Sequence, residues 1–162
     1  MHMYNFEIDA AAPKSELYAE LVRSADALTN DEPDGVANMA NVAALLWEFL
    51  PDVNWTGFYR VVDGALVLGP FQGKAACIRI PFGKGVCGTA AATGTTQLID
   101  DVHAFPGHIA CDANSASELV VPVTRDGKVI AVIDLDSPSL NRFDAEDANG
   151  IELLANMLAA RI

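Results

Sequence analysis

The sequence predicts an α+β fold: a single domain in which an antiparallel sheet carries helices packed on one face. Three observations predict it. Apolar residues recur at helical spacing in two segments near the start and in one at the end. Between them the period drops to two, as in half-buried strands. The chain has 162 residues, 51% of them hydrophobic, which suits one compact core rather than several domains or disorder.

The first helix is read from PKSELYAELVRSADALT, where Leu17, Leu21, Ala25 and Leu28 share a face and Ser15 can cap the start. NDEPDG interrupts the pattern. DGVANMANVAALLWEFL resumes it with Val36, Met39, Ala43, Leu46 and Leu50, and Pro51 stops it. Both stripes read as core. NWTGFYRVV is then a strand, joined through Asp63-Gly64 to ALVLGPF as a hairpin. CIRIPF is a third strand, GKGVCGTAAATG a short helix of small residues among glycines, and TTQLID a fourth strand. DDVHAFPGHIACDANSAS is a long loop, and loops of this length in compact domains are usually functional. ELVVPV and KVIAVIDLDS flank TRDG as a second hairpin, and DAEDANGIELLANMLAARI closes the chain as a helix with Ile151, Leu154, Met157 and Leu158 inward. The expected layout within 1–162 is N-terminal helices over about 14–50, sheet and ligand pocket over about 53–137, and a closing helix over about 144–161.

The formal net charge of −12 argues against nucleic acid and anionic membrane surfaces, which need Lys and Arg to neutralise phosphate. No run of about 18 apolar residues is present, so no transmembrane helix is expected. MHMYNFEIDA has neither a basic start nor a long apolar run, so it does not read as a secretory signal and a cytoplasmic location is expected. The three cysteines, Cys77, Cys87 and Cys111, cannot all pair with one another, which points to free, transiently oxidised or metal-bound thiols.

Two features carry chemistry. The first is the hairpin from Glu118 to Asp136. With a three-residue loop, Arg125-Asp126-Gly127, Glu118 lies opposite Asp134, and Asp136 shares their face. Leu119, Val121, Val123, Val129, Ala131, Ile133 and Leu135 then form the apolar face for the helices. A two-residue loop would send Glu118 to the other side, and three acids at a sheet end can also be merely solvated. Trp55 and Tyr59 share strand parity; such aromatics either fill core or enclose the apolar or cationic part of a small ligand.

The second feature is Cys111 in HIACDANS, followed by DANSAS with no large apolar side chain to pack around it. A thiol there is solvent-reachable, unlike the usual buried cysteine. The spacing leaves three uses open: structural thiols, a zinc site of all three cysteines with His103 or His108 but no close C-x-x-C pair, or a thiol/disulfide cycle.

NWTGFY, GPFQGKAACIRIPFGKGVCGTAA, HIACDANSASELVVPV, and VIAVIDLDSP followed by LNRFDAED together resemble the free methionine-(R)-sulfoxide reductases, a family built on a GAF domain. The likeness covers most of the chain from about Asn54 onward. It implies reduction of free L-methionine (R)-sulfoxide to methionine through a cysteine sulfenic acid and an intramolecular disulfide. It makes Cys111 the nucleophile, Cys77 the main resolving cysteine and Cys87 an auxiliary thiol. Trp55, with Tyr59 beside it, would pack on the substrate, while Glu118, Asp134 and Asp136 would bind the ammonium and polarise the sulfoxide. No bound cofactor or metal is implied; thioredoxin, with NADPH and thioredoxin reductase behind it, is the expected reductant. A homodimer is a further expectation from the family. The rival reading is a non-catalytic GAF sensory module for a small ligand.

Overall fold

The computed structural model describes residues 5–9, 11–109 and 111–162. Residues 1–4 and 10 of the N-terminal stretch, and residue 110 of the long loop, lie outside the described residues. The elements follow the expected order: α1 (Lys14–Thr29), α2 (Gly35–Phe49), β1 (Trp55–Val62), β2 (Ala65–Gly73), β3 (Arg79–Pro81), α3 (Gly85–Thr93), β4 (Gln97–Ile99), β5 (Ser117–Arg125), β6 (Lys128–Ser137) and α4 (Ala145–Leu158). The six strands form one antiparallel sheet in the order β3-β2-β1-β6-β5-β4. Among the described residues no helix is long and apolar enough to cross a membrane.

The three long helices gather on one face, as the periodicity expects. Phe58 from β1, Leu119, Val121 and Val123 from β5, and Ala131, Ile133 and Leu135 from β6 pack there against Leu21, Val42, Leu46, Phe49, Ile151 and Leu154. The short α3 lies on the opposite face, where Val86, Cys87, Ala90 and Ala91 form a second cluster with Trp55, Tyr59, Val120 and Val132. Its small side chains let the helix approach the sheet closely. The site-bearing face is therefore covered by one short helix and loops, and the helical bundle closes the other.

Local details depart from the sequence pattern in three places. Pro13, not Ser15, precedes the first turn of α1, and no side chain caps it. Val36 is 57% exposed, so α2 turns its stripe further round than the periodicity expects. The β5–β6 hairpin turns on two residues, Asp126 and Gly127, both with positive φ (52° and 76°), rather than on three. Both angles lie in the left-handed region that a two-residue hairpin of this kind requires.

Asp147 ties α4 to the first helix. Its buried carboxylate accepts from the Tyr18 hydroxyl at 2.6 Å, Lys14 Nζ at 2.6 Å and Arg142 at 3.4 Å, and from the Asp144 amide at 2.8 Å within a reciprocal capping box. Removing one partner from such a buried cluster strands the others. Asp147→Ala should lower unfolding free energy by about 3 kcal/mol in urea titration; a change within experimental error would show that the cluster adds no net stability.

Candidate active site

The two-residue turn alone would put Glu118 on the helix side. A bulge prevents this. Thr124 pairs with Val129 but Val123 pairs with Ala131, so Ile130 is an extra residue on β6 and parity is restored beyond it. Glu118 consequently faces Asp136, and Val120 faces Asp134; the expected Glu118–Asp134 pairing is off by one pair, although all three acids still share a face. Val129, expected on the helix side, instead packs against the cluster under α3, and Ile130 takes its place against the helices.

On the other side of β6, Trp55 pairs with Asp136 and Gly57 with Asp134. Trp55, Asp136 and Glu118 thus stand in one row across three strands, with Asp134 in the next. Trp55 stacks between Phe71 (centroids 5.0 Å) and Tyr59 (5.8 Å). Gly57 between them is required: a Cβ there would lie 2.4 Å from the Phe71 Cβ, so any side chain would push β2 away. Both aromatics also hold the connection between β2 and β3. Trp55 Nε1 donates to the Lys74 carbonyl at 3.1 Å, and the Tyr59 hydroxyl donates to the Cys77 carbonyl at 2.9 Å.

Cys77 and Cys111 form a disulfide, with S–S 2.09 Å and Cα atoms 5.7 Å apart. It fastens the long loop to the segment leading into β3. In this form neither sulfur is available to a metal. A partly open cleft is lined by Trp55, Tyr59, Cys87, Cys111, Glu118, Asp134 and Asp136. Cys77 is joined to this wall through its bond to Cys111.

Cys87, on α3, is the free cysteine among the described residues and is buried. Its thiol donates to Glu118 Oε1 at 3.8 Å, and one donor atom each from Cys87, Glu118 and Asp134 lies within 4.8 Å of the others. Burial, then the neighbouring acids, push the Cys87 thiol well above its ordinary range. It is a protonated thiol there, not a ready nucleophile. Burial likewise raises Glu118 to about 8, with the Asp136 charge adding to the shift. Asp134 is raised by burial and then by Glu118, and Asp136 by burial and then by Asp134 and Asp112. Three crowded carboxyls with little water retain protons at neutral pH or attract a cation. Asp134 Oδ1 is buried with no hydrogen-bond partner among the described residues.

Sequence reasoning considered His108 only as a zinc ligand and missed the other parts of this wall. His108 brings Nε2 to 3.7 Å from Glu118 Oε2, and burial lowers its pKa, so the imidazole is neutral at pH 7. Its position three residues before Cys111 was the available signal. Lys74 and Lys84 line the same cleft, as do Gly85 and Val86 in the first turn of α3, which has no side-chain cap. The first amides of an uncapped helix favour an anion.

The GAF domain family matches residues 39–162. Free methionine-R-sulfoxide reductase from Escherichia coli is 52% identical over 145 residues, covering 90% of this chain and 88% of that protein. The Saccharomyces cerevisiae enzyme of the same name is 44% identical over 90% of this chain and 85% of that protein. Among solved structures, free methionine-R-sulfoxide reductase from Neisseria meningitidis in complex with its substrate superposes with a TM-score of 0.93 at 46% identity, covering 98% of this chain and 95% of that one.

The raised carboxyls fix the sign of a pH effect. A group that holds its proton more tightly when folded favours the fold below its unfolded pKa, and that contribution is lost as pH rises through the folded value. For Glu118 the loss extends from the ordinary glutamate range up to about 8, and Asp134 and Asp136 act in the same direction. The thermal midpoint of the ligand-free protein should fall between about pH 5 and 8, and less steeply in Glu118→Gln. Equal slopes in melts of the two proteins would show that Glu118 does not carry the shift.

Proposed function

Because the chain belongs to the GAF-domain family of free methionine-R-sulfoxide reductases, we propose that its cleft reduces free L-methionine (R)-sulfoxide, with Cys111 as nucleophile and Cys77 as resolving thiol. One observation carries this reading: the Cys77–Cys111 disulfide borders a cleft whose wall holds three crowded carboxyls, each shifted upward in pKa.

Each part of the substrate has a chemically matched neighbour. The S-methyl group packs on Trp55, whose ring is fixed by its stack and by its bond to Lys74. A carboxyl from Glu118, Asp134 or Asp136 that keeps its proton donates to the sulfoxide oxygen, while an ionised neighbour holds the ammonium. The α-carboxylate is met by the first turn of α3 and by Lys74 and Lys84.

With Cys111 reduced, its thiolate attacks the substrate sulfur as the oxygen is protonated. The S–O bond breaks, methionine leaves, and the hydroxyl ends on Cys111 as a sulfenic acid. The Cys77 thiolate then attacks that sulfur and expels water, forming the disulfide seen here. The bond from Tyr59 to the Cys77 carbonyl supports Cys77 in this position. Thioredoxin, kept reduced by NADPH and thioredoxin reductase, returns two electrons to the pair. Cys87, buried and protonated against Glu118, acts as an auxiliary group by keeping that carboxyl in place.

Single-turnover methionine formation tests the roles. Cys111→Ser should yield none while keeping its fold by circular dichroism; measurable product would remove Cys111 from the chemistry. Cys77→Ser should form about one methionine per enzyme and then fail to cycle with thioredoxin. Substrate blocking tests the recognition. N-acetyl-methionine sulfoxide lacks the ammonium, and losing one charge-assisted contact should lower kcat/KM by about one to two decades. Equal kcat/KM on the blocked and free substrates would mean that the carboxyls do not read the ammonium.

A further inference from the structure

A cycle that ends in an intramolecular disulfide requires a donor to reach it from outside, and the surface around the two sulfurs has a distinct character. Cys111 is exposed, whereas Cys77 is half-buried. Cys77 leads directly into β3, and Ile78 and Phe82 immediately flank that strand. Ile80 is buried and lines the cleft; its neighbours Ile78 and Phe82 stand out from it, 69% and 37% exposed. Ile109, 37% exposed and two residues before Cys111, packs over Gly85, bringing a third apolar side chain to the same rim. β3 is also the edge strand of the sheet.

The strand side of this rim is opposite in charge to the molecule, whereas Asp112 stands next to Cys111 on the loop side. The chain carries 22 acidic and 10 basic residues, yet no Asp or Glu occurs from Gly64 to Ile99. The charged residues in that stretch are Lys74, Arg79 and Lys84, and none of them is in an ion pair among the described residues. Unpaired cations beside exposed apolar side chains on an otherwise acidic protein favour an acidic partner and disfavour a second copy of this chain.

We propose that Ile78, Phe82 and Ile109, with Arg79 beside them, form the docking surface for the electron donor. That donor is an acidic dithiol protein presenting its cysteines from an apolar face. The assignment rests on the reductase reading above and adds to it where the donor binds. A donor thiolate attacks the exposed Cys111 sulfur, the S–S bond breaks, and Cys77 leaves as the thiolate. The donor's second thiolate then attacks its own bonded sulfur and releases Cys111. The donor ends as a disulfide, and its two electrons and two protons reside on Cys77 and Cys111.

The test compares two reductants on the full chain. Ile78→Glu and Arg79→Glu alter the rim and lie outside the cleft wall. Methionine formation is driven either by dithiothreitol, which reaches Cys111 without docking, or by thioredoxin with its reductase and NADPH. Both variants should raise the KM for thioredoxin by about tenfold, with dithiothreitol-driven kcat/KM for the sulfoxide within about twofold of wild type. Raised salt should shrink the Arg79→Glu defect relative to wild type. An unchanged KM for thioredoxin in both variants would overturn the docking surface. Parallel losses with both reductants would also overturn it, since the residues would then act in the fold or the chemistry. Inactivity of the wild type with dithiothreitol would instead overturn the reductase reading.

Discussion

Because β6 pairs with β5 on one side and with β1 on the other, a single offset along β6 decides which side chains meet over the sheet. The offset is set by the extra residue Ile130 just beyond a two-residue turn. It aligns Glu118, Asp136 and Trp55 in one row, with Asp134 and Gly57 in the next. Without the bulge, Glu118 would fall among the apolar side chains beneath the helices, and the acidic wall would lose a member. Both strands bury an apolar set on the helix face, so a slip would expose that set and bury charge. The hydrophobic core therefore holds the register that the site needs.

The same face explains the electrostatics. In water three carboxyls would simply ionise and repel weakly. Here α3 covers them, with Cys87 buried against Glu118, so burial is the largest cause of the upward shift in each. Small residues in GVCGTAAAT let that helix come close enough to exclude water. A site that holds protons and also welcomes a cation follows from this crowding, and in the proposed cycle it suits a substrate that needs both.

Trp55 and Tyr59 link the acidic wall to the sulfur chemistry. Their rings bound the cleft, and their polar tips hold the carbonyls of Lys74 and Cys77. A side chain proposed to pack on the substrate thus also positions the backbone beside Cys77. The long loop, fastened from the other side by the disulfide, completes the wall. In the proposed cycle this bond opens and re-forms, so the loop is secured covalently only in the oxidised half.

Much of this was legible in the sequence because it rests on local pattern. Helical and strand periods, the Asp63-Gly64 turn and the unpackable setting of Cys111 depend on neighbours in the chain, and they gave the element order, the α+β class and the candidate residues. The shared face of Glu118, Asp134 and Asp136 was legible too, but through a three-residue loop that the protein does not use; the actual turn and bulge change parity twice and arrive at the same side. What local pattern could not supply was contact across the fold: His108 beside Glu118, the aromatic bonds to Lys74 and Cys77, Cys87 under α3, and the apolar, basic rim around the disulfide. These juxtapose residues far apart in sequence, and only closing the sheet and laying α3 and the long loop over it removes the water that otherwise keeps their charges and thiols independent.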